Sequence, residues 1–323
     1  MKILAILAAM ILTTAAAAQT NPHTYRVVVS QAPGGITDVG CRTFWTEWEK
    51  KTGKKAVIIN RPGALGAVAL RAMAEANGPE FACTGAQNLI YNQLFFPEHA
   101  GHERNVENIG KIVDFPIFIS SSLKHSSVKS LKEWRDQTTA GNTCLTSTCS
   151  WDKPLLVGVN TSIALAIANY LIQHERFNLE VVRFKSATEI SAALSLGDID
   201  YYIGGSTFDG LARPGNPEGK FRWHSRLMGN TTGALWDDRI WGNLYKDIRD
   251  RDAFASFLGV GVNVQMSQEQ REVFRKEFHS VMSDPAFKTL IETRVPGSIF
   301  SGRPYSNQDA AAAVERLRQL KIN

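Results

Sequence analysis

The 323-residue sequence holds little from which a chemical step could be built. It has no G-x-S-x-G nucleophile elbow and no G-x-x-x-x-G-K-[ST] phosphate loop. Ser126-Ser127-Val128-Lys129 matches S-x-x-K and Lys51-Thr52-Gly53 matches K-T-G. These two stand in reverse order with no S-D-N between them, which excludes a penicillin-recognising enzyme. Seven histidines are spread along the chain and form no nucleophile–base pattern with cysteine. His99 and His102, in Glu98-His99-Ala100-Gly101-His102-Glu103, offer too few ligands for a zinc site and read as a solvated loop. No metal and no cofactor is therefore expected. Basic residues are scattered: 36 Lys and Arg against 31 Asp and Glu, net +5, with no long run. That excludes a basic tail for nucleic acid. Past the first residues, no apolar stretch approaches the ~20 residues that cross a bilayer.

Cysteine is also scarce, and what there is depends on compartment. Lys2, the apolar run Ile3–Leu12 and Ala16-Ala17-Ala18 have the order of a secretory signal peptide, with cleavage expected after Ala18. The mature chain is then soluble and exported, where disulfides persist. The four cysteines, Cys41, Cys83, Cys144 and Cys149, allow three pairings. Cys144 and Cys149 lie in one polar stretch and are expected to close a small ring. Cys41 and Cys83 are either a second disulfide or two buried thiols; spacing leaves both open.

The length suggests two domains at ~100–200 residues each, and 44% hydrophobic residues suffice for two cores. Tyr25–Ser30 reads as a buried strand, Thr37–Thr52 as a helix stopped by Gly53, Lys55–Asn60 as a strand, Ala67–Ala76 as a helix and Phe81–Gly85 as a strand. This β-α-β-α-β order marks a parallel sheet covered by helices. The alternation returns with a strand at Pro116–Ser120, a helix beginning near Val128, a helix at Ser162–His174, a strand at Leu179–Phe184, a helix at Thr188–Leu196 and a strand at Asp200–Ile203. Helices at Gln268–Ser283 and Ser306–Leu320 close the chain, the latter with Ser306 and Asn307 as candidate caps.

Two places share one physical form. After Gln31 a Gly34-Gly35 turn leads into a helix near Thr37-Asp38, and Gly158-Val159-Asn160-Thr161-Ser162 leads into another. A helix N-terminus offers unpaired amides and partial positive charge, a ready anion site, and glycine lets a ligand approach the backbone. Read alone, the same residues are equally a turn and an N-cap.

The motifs together resemble a known family. Tyr25–Val29 followed by Ala32-Pro33-Gly34-Gly35-Ile36-Thr37-Asp38 looks like a first strand and its A-P-G-G-x-x-D loop. Asn60-Arg61-Pro62-Gly63-Ala64 with Gly66 looks like N-R-P-G-A-x-G. Gly158–Ala166, Val182–Ser186 (against V-P-Y-K-G) and Leu196–Asp200 resemble later segments. The family is the substrate-binding proteins of tripartite tricarboxylate transporters, also called the Bordetella uptake gene family. Asn160, Ala164, Ser186 and Gly204 depart from its pattern, and Cys144–Pro154 looks inserted.

The resemblance implies an α/β, type II periplasmic-binding-protein-like fold: two mainly parallel-sheet lobes with a ligand cleft between them. It implies a signal peptide at 1–18, a first lobe at 19–122, a second at 123–230 and a return to the first over 231–323. The protein would be periplasmic, monomeric and non-enzymatic. Its partners would be a small-molecule carboxylate and a permease with large and small integral-membrane subunits. A periplasmic sensor presenting the carboxylate to a signalling receptor is the alternative. The implied ligand-binding residues are Gln31, Ala32, Pro33, Gly34, Gly35, Asp38, Gly85, Ala86, Asn160, Thr161, Ser162, Phe184, Lys185 and Gly204. Strand alternation sets Phe184 on one face and Arg183 with Lys185 on the other. The resemblance favours Phe184 toward the ligand, hence a monocarboxylate or aromatic acid; the basic pair would favour a dicarboxylate.

Overall fold

Val27, Val28 and Val29 are almost wholly inaccessible, as a short β-branched run must be when a sheet neighbour flanks it on each side and helices cover it. They belong to β1 (Thr24–Val29). The structure is a computed structural model that describes residues 24–76, 80–84, 94, 101–115, 117–122, 154–174, 176–205, 211–212, 221–226, 256–295, 298–319 and 321. The expected signal peptide, the helix near Val128, the Cys144–Cys149 ring and the pair Gly85, Ala86 lie outside the described residues.

After β1 come α1 (Ile36–Thr52), β2 (Lys55–Asn60), α2 (Ala67–Ala74), β3 (Glu80–Thr84) and β4 (Val106–Asp114). Then follow β5 (Ile117–Ser122), β6 (Leu155–Val159), α3 (Ser162–Gln173), β7 (Leu179–Arg183), α4 (Ala187–Leu196), β8 (Tyr201–Gly205), β9 (Leu211–Ala212) and β10 (Phe221–Arg226). The last described elements are β11 (Phe257–Asn263), α5 (Gln268–Met282), α6 (Pro285–Arg294), β12 (Ile299–Phe300) and α7 (Asn307–Gln319). They form two six-stranded sheets, ordered β12-β4-β11-β3-β1-β2 and β7-β6-β8-β5-β10-β9.

The β-α-β-α-β unit expected from the sequence is the parallel part of the first sheet, β1 pairing with both β2 and β3. In the second sheet β6 pairs parallel with β7 and β8. Both sheets are nevertheless mixed, because β11 runs antiparallel to β3 and β4, and β5 antiparallel to β8 and β10. The chain leaves the first sheet after β4, enters the second with β5, ahead of the boundary expected after residue 122, and is back in the first at β11. At the crossing the Phe115 amide donates to the Ser256 carbonyl at 2.6 Å, so the outgoing and returning strands lie side by side.

The core of the first sheet is aromatic. Phe44, Trp45 and Trp48 on one face of α1 meet Phe81 from β3 and Phe274 and Phe278 from α5. Trp45 stacks on Phe274 at 5.7 Å, and Phe81 lies 4.4 Å from Phe274, centroid to centroid. Gly40 lets α1 approach β11: a Cβ there would lie 2.6 Å from Leu258 Cδ2. Cys41 of α1 and Cys83 of β3 form a buried disulfide with Cα atoms 5.9 Å apart, which decides the pairing that spacing left open. The second sheet is covered by α3, whose residues Ile163 to Ala168 are all inaccessible or nearly so. Among the described residues no helix is long and apolar enough to cross a membrane.

Candidate functional site

The first wall of the site begins with a buried carboxylate. Gly34 has φ +80°, a left-handed conformation that favours glycine, and the turn it makes aims its amide at Asp38 Oδ2, 2.9 Å away. Asp38 is only 2% exposed. It also accepts from Arg42 Nε at 2.9 Å and from Asn60 Nδ2 at 2.8 Å. The second hydrogen of the Asn60 amide goes to the Gln31 carbonyl at 2.8 Å, and Arg42 Nη2 donates to Asn60 Oδ1 at 3.0 Å. The loop after β1 and the loop after β2 are thus one hydrogen-bonded unit. Burial pushes the Asp38 carboxyl up. Hydrogen bonds from Arg42, Asn60 and Gly34, with the Arg42 charge, outweigh it and hold the group below its ordinary range.

Beyond Asn60 the chain makes a left-handed turn. Arg61 donates its amide to the Val29 carbonyl at 2.8 Å, and Gly63, Ala64, Leu65 and Gly66 have φ of 131°, 43°, 51° and 101°. Glycine takes such values freely; Ala64 and Leu65 do so only at a cost of about 1–2 kcal/mol each. Burial of the Leu65 side chain, 7% exposed, and the 2.8 Å bond from the Gly66 amide to the Gly63 carbonyl hold the turn. Strain of this kind persists where the surroundings over-determine the backbone, and it clusters at binding sites.

This turn is one side of a cavity of about 220 Å³. Among the described residues its lining is Ser30 and Gln31 after β1, Gly63 to Gly66 after β2, Asn160 after β6, and Arg183, Phe184 and Lys185 where β7 ends. All four segments are carboxyl ends of parallel strands, the place where open α/β sheets hold ligands. Both sheets contribute. The described lining carries two cations and no carboxylate.

On the second wall, Thr161 caps α3, its Oγ1 accepting from the Ala164 amide at 3.3 Å, and Ser162 is fully buried beside it. The Phe184 amide donates to the Val159 carbonyl at 2.9 Å, and the ring lies against Gly158, where a Cβ would be 3.2 Å from Phe184 Cε2. The Lys185 amide donates to Glu189 Oε2 at 2.9 Å, and Ser186 Oγ caps α4 by accepting from the Glu189 amide at 3.2 Å.

Of the residues expected at the site, Gln31, Asn160, Phe184 and Lys185 line the cavity. Asp38 does not: its carboxylate is taken up within the loop, and with the turn at Ala32 to Gly35 it braces the wall from behind. The Gly34 amide is spent on Asp38 and that of Gly35 turns to the Ala32 carbonyl at 3.3 Å, so neither is the donor the sequence suggested. Gly204 lies under the Tyr202 ring. The expected choice between Phe184 and the basic pair dissolves. β7 ends at Arg183, so alternation no longer governs the next residues, and all three line the cavity. Ser30 and the 63–66 turn are not among the ligand residues expected from the sequence, and Arg183 entered only as half of the alternative basic pair. The signal for the turn was present in Pro62-Gly63 and Gly66, a density of turn formers directly after a strand. No group of three or more His, Cys, Asp or Glu able to hold a metal occurs among the described residues.

No protein-family model and no curated protein matches the chain. Solved structures do. The R. palustris protein Rpa4515, solved with adipate, superposes with a TM-score of 0.74 at 17% identity, over 93% of this chain and 96% of that one. MatC from Rhodopseudomonas palustris, solved with bound malate, gives 0.72 at 17% identity over 93% and 98%. The periplasmic binding protein BugD gives 0.70 at 15% identity over 93% and 96%. With TM-scores of 0.70 to 0.74 and near-complete coverage in both directions, the chain has the two-lobed α/β fold of the periplasmic binding proteins.

Proposed function

We propose that this chain is a periplasmic solute-binding protein of the tripartite tricarboxylate transporter type, without enzymatic activity. It captures a small organic carboxylate and delivers it to a permease built of a large and a small integral-membrane subunit. One observation carries the reading. The cavity between the carboxyl ends of the two sheets is lined by Arg183 and Lys185 with the neutral groups of Ser30, Gln31 and Asn160, and no acid is among its described lining residues. Such a lining suits an anion through charge-assisted hydrogen bonds. That two proteins of the same fold were solved with adipate and with malate supports a carboxylate. Phe184 between the two cations suits a dicarboxylate with a short hydrocarbon spacer over the aromatic ring.

A thermal-shift and calorimetric series of adipate, malate, citrate and benzoate tests this. A ligand at 100 times its Kd is expected to stabilise the protein by about 2.7 kcal/mol. Lys185→Ala should weaken the dicarboxylates by roughly tenfold and benzoate by less, because an ionic hydrogen bond is worth about 1.5–3 kcal/mol. Absence of any stabilisation across the series would overturn the proposal.

A further inference from the structure

Asn160 lines the cavity yet is only 7% exposed, and its carboxamide has a partner on the side away from the cavity. Tyr202, 1% exposed on β8, donates its hydroxyl to Asn160 Oδ1 at 3.4 Å. A carboxamide has one accepting end and one donating end. With Oδ1 engaged by a hydroxyl on the inner side, the NH2 group is the end turned to the cavity. We infer that Tyr202 is a positioning residue, fixing Asn160 as a hydrogen-bond donor toward the ligand and so setting this wall to select acceptors over donors. The inference rests on the reading of the cavity as a carboxylate site.

Gly204 makes the arrangement possible. Residues 202 and 204 lie on the same face of β8, two positions apart. A Cβ at 204 would fall 2.0 Å from the Tyr202 hydroxyl oxygen and 2.1 Å from Cζ. The space a side chain would take at 204 is filled by the tyrosine reaching for Asn160. Three residues therefore act together: an asparagine at the cavity, a tyrosine behind it, and a glycine that clears the tyrosine's path.

Calorimetry with adipate and its neutral diamide, adipamide, on the full mature chain tests this. Tyr202→Phe keeps the ring and removes only the hydroxyl. It is expected to bind adipate roughly tenfold more weakly, and its preference for adipate over adipamide should fall by a similar factor, because Asn160 can then turn its carbonyl to the cavity. Asn160→Ala should lose as much, and adding Tyr202→Phe in that background should change nothing further. Adipate affinity unchanged in Tyr202→Phe, or losses that simply add in the double variant, would overturn the inference. Should Tyr202→Phe fail to fold, Asn160→Asp serves instead. The hydroxyl holds one of its oxygens, the other meets the ligand, and adipate binding should be lost; retained binding would overturn the inference. A wild-type protein that binds neither probe overturns the carboxylate reading along with it. Wild-type binding that the variants leave untouched overturns this inference alone.

Discussion

At the scale of single residues, Asp38 decides how firmly the first wall is held. Its carboxylate gathers Gly34, Arg42 and Asn60, and Asn60 passes the constraint on to Gln31, which does line the cavity. Asp38→Asn is expected to cost about 1–2 kcal/mol near neutral pH, at the low side for a charged hydrogen-bonded group because Arg42 is half-exposed to solvent. The pH dependence has a definite sign. The folded pKa lies below the ordinary 3.8, so the carboxylate's contribution is fully present above the unfolded value and vanishes as pH falls through the folded one. The stability gap between wild type and Asp38→Asn should therefore stay constant down to about pH 5 and close below about pH 4. Chemical denaturation at a series of pH values measures it; a gap that widens on acidification would show that the carboxylate is not stabilising.

At the scale of elements, the clearest device is the cross-link between α1 and β3. Cys41 follows the Gly-Gly turn by one and a half helical turns, and Cys83 is one residue from the carboxyl end of β3, so the bond holds two loop-bearing elements together at the cavity end of the sheet. The pair spans 42 positions, which on the chain-entropy account is worth about 4 kcal/mol. Cys41→Ala with Cys83→Ala should lose ~2–4 kcal/mol in denaturant unfolding, and an unchanged midpoint would show the bond to be idle. The elements legible in the sequence were those whose pattern follows from burial alone. β1, β2, β3, α1 and α3 were read to within a residue or two because parallel strands are apolar runs and α3 is apolar all round. Overlooked were β4, β6 and β11, along with β9, β10 and β12. β4 carries Glu107, Asn108, Gly110 and Lys111, poor strand formers, and Lys111 is buried with its ammonium 4.2 and 4.8 Å from the ring centroids of Phe257 and Tyr305 and 3.7 Å from Asp114 Oδ1. β11 is interrupted by Gly259 and Gly261, which lie against β4: a Cβ at 259 would be 3.0 Å from the Gly110 carbonyl oxygen. Those contacts join segments some 150 residues apart and no local pattern announces them. α6 could have been read, since Asp284-Pro285 is an N-cap followed by proline at the first helical position. At the candidate site the sequence motifs pointed to loops of which Gln31, Asn160, Phe184 and Lys185 line the cavity. The bonding within those loops was not legible, because a hydrogen bond inside a loop, such as Gly34 to Asp38, is invisible until the turn is built.

At the scale of the whole molecule, the fold is two sheets joined where Asp114 gives way to Ile117 and where the chain returns at Ser256. The bond from the Phe115 amide to the Ser256 carbonyl ties these two passages to each other. Two passages so tied behave as one strap. Such a strap flexes about a line across its width but resists twisting and resists sliding of one half along the other, since either would break the tie. If the cavity binds the proposed carboxylate, the halves should close over it along this flexing direction. Spin labels at Thr188 on α4 and Lys288 on α6, both exposed, would report it. As adipate is added, a shorter distance should replace the one seen without it, whereas a distribution unchanged at saturating adipate would show that binding does not draw the halves together.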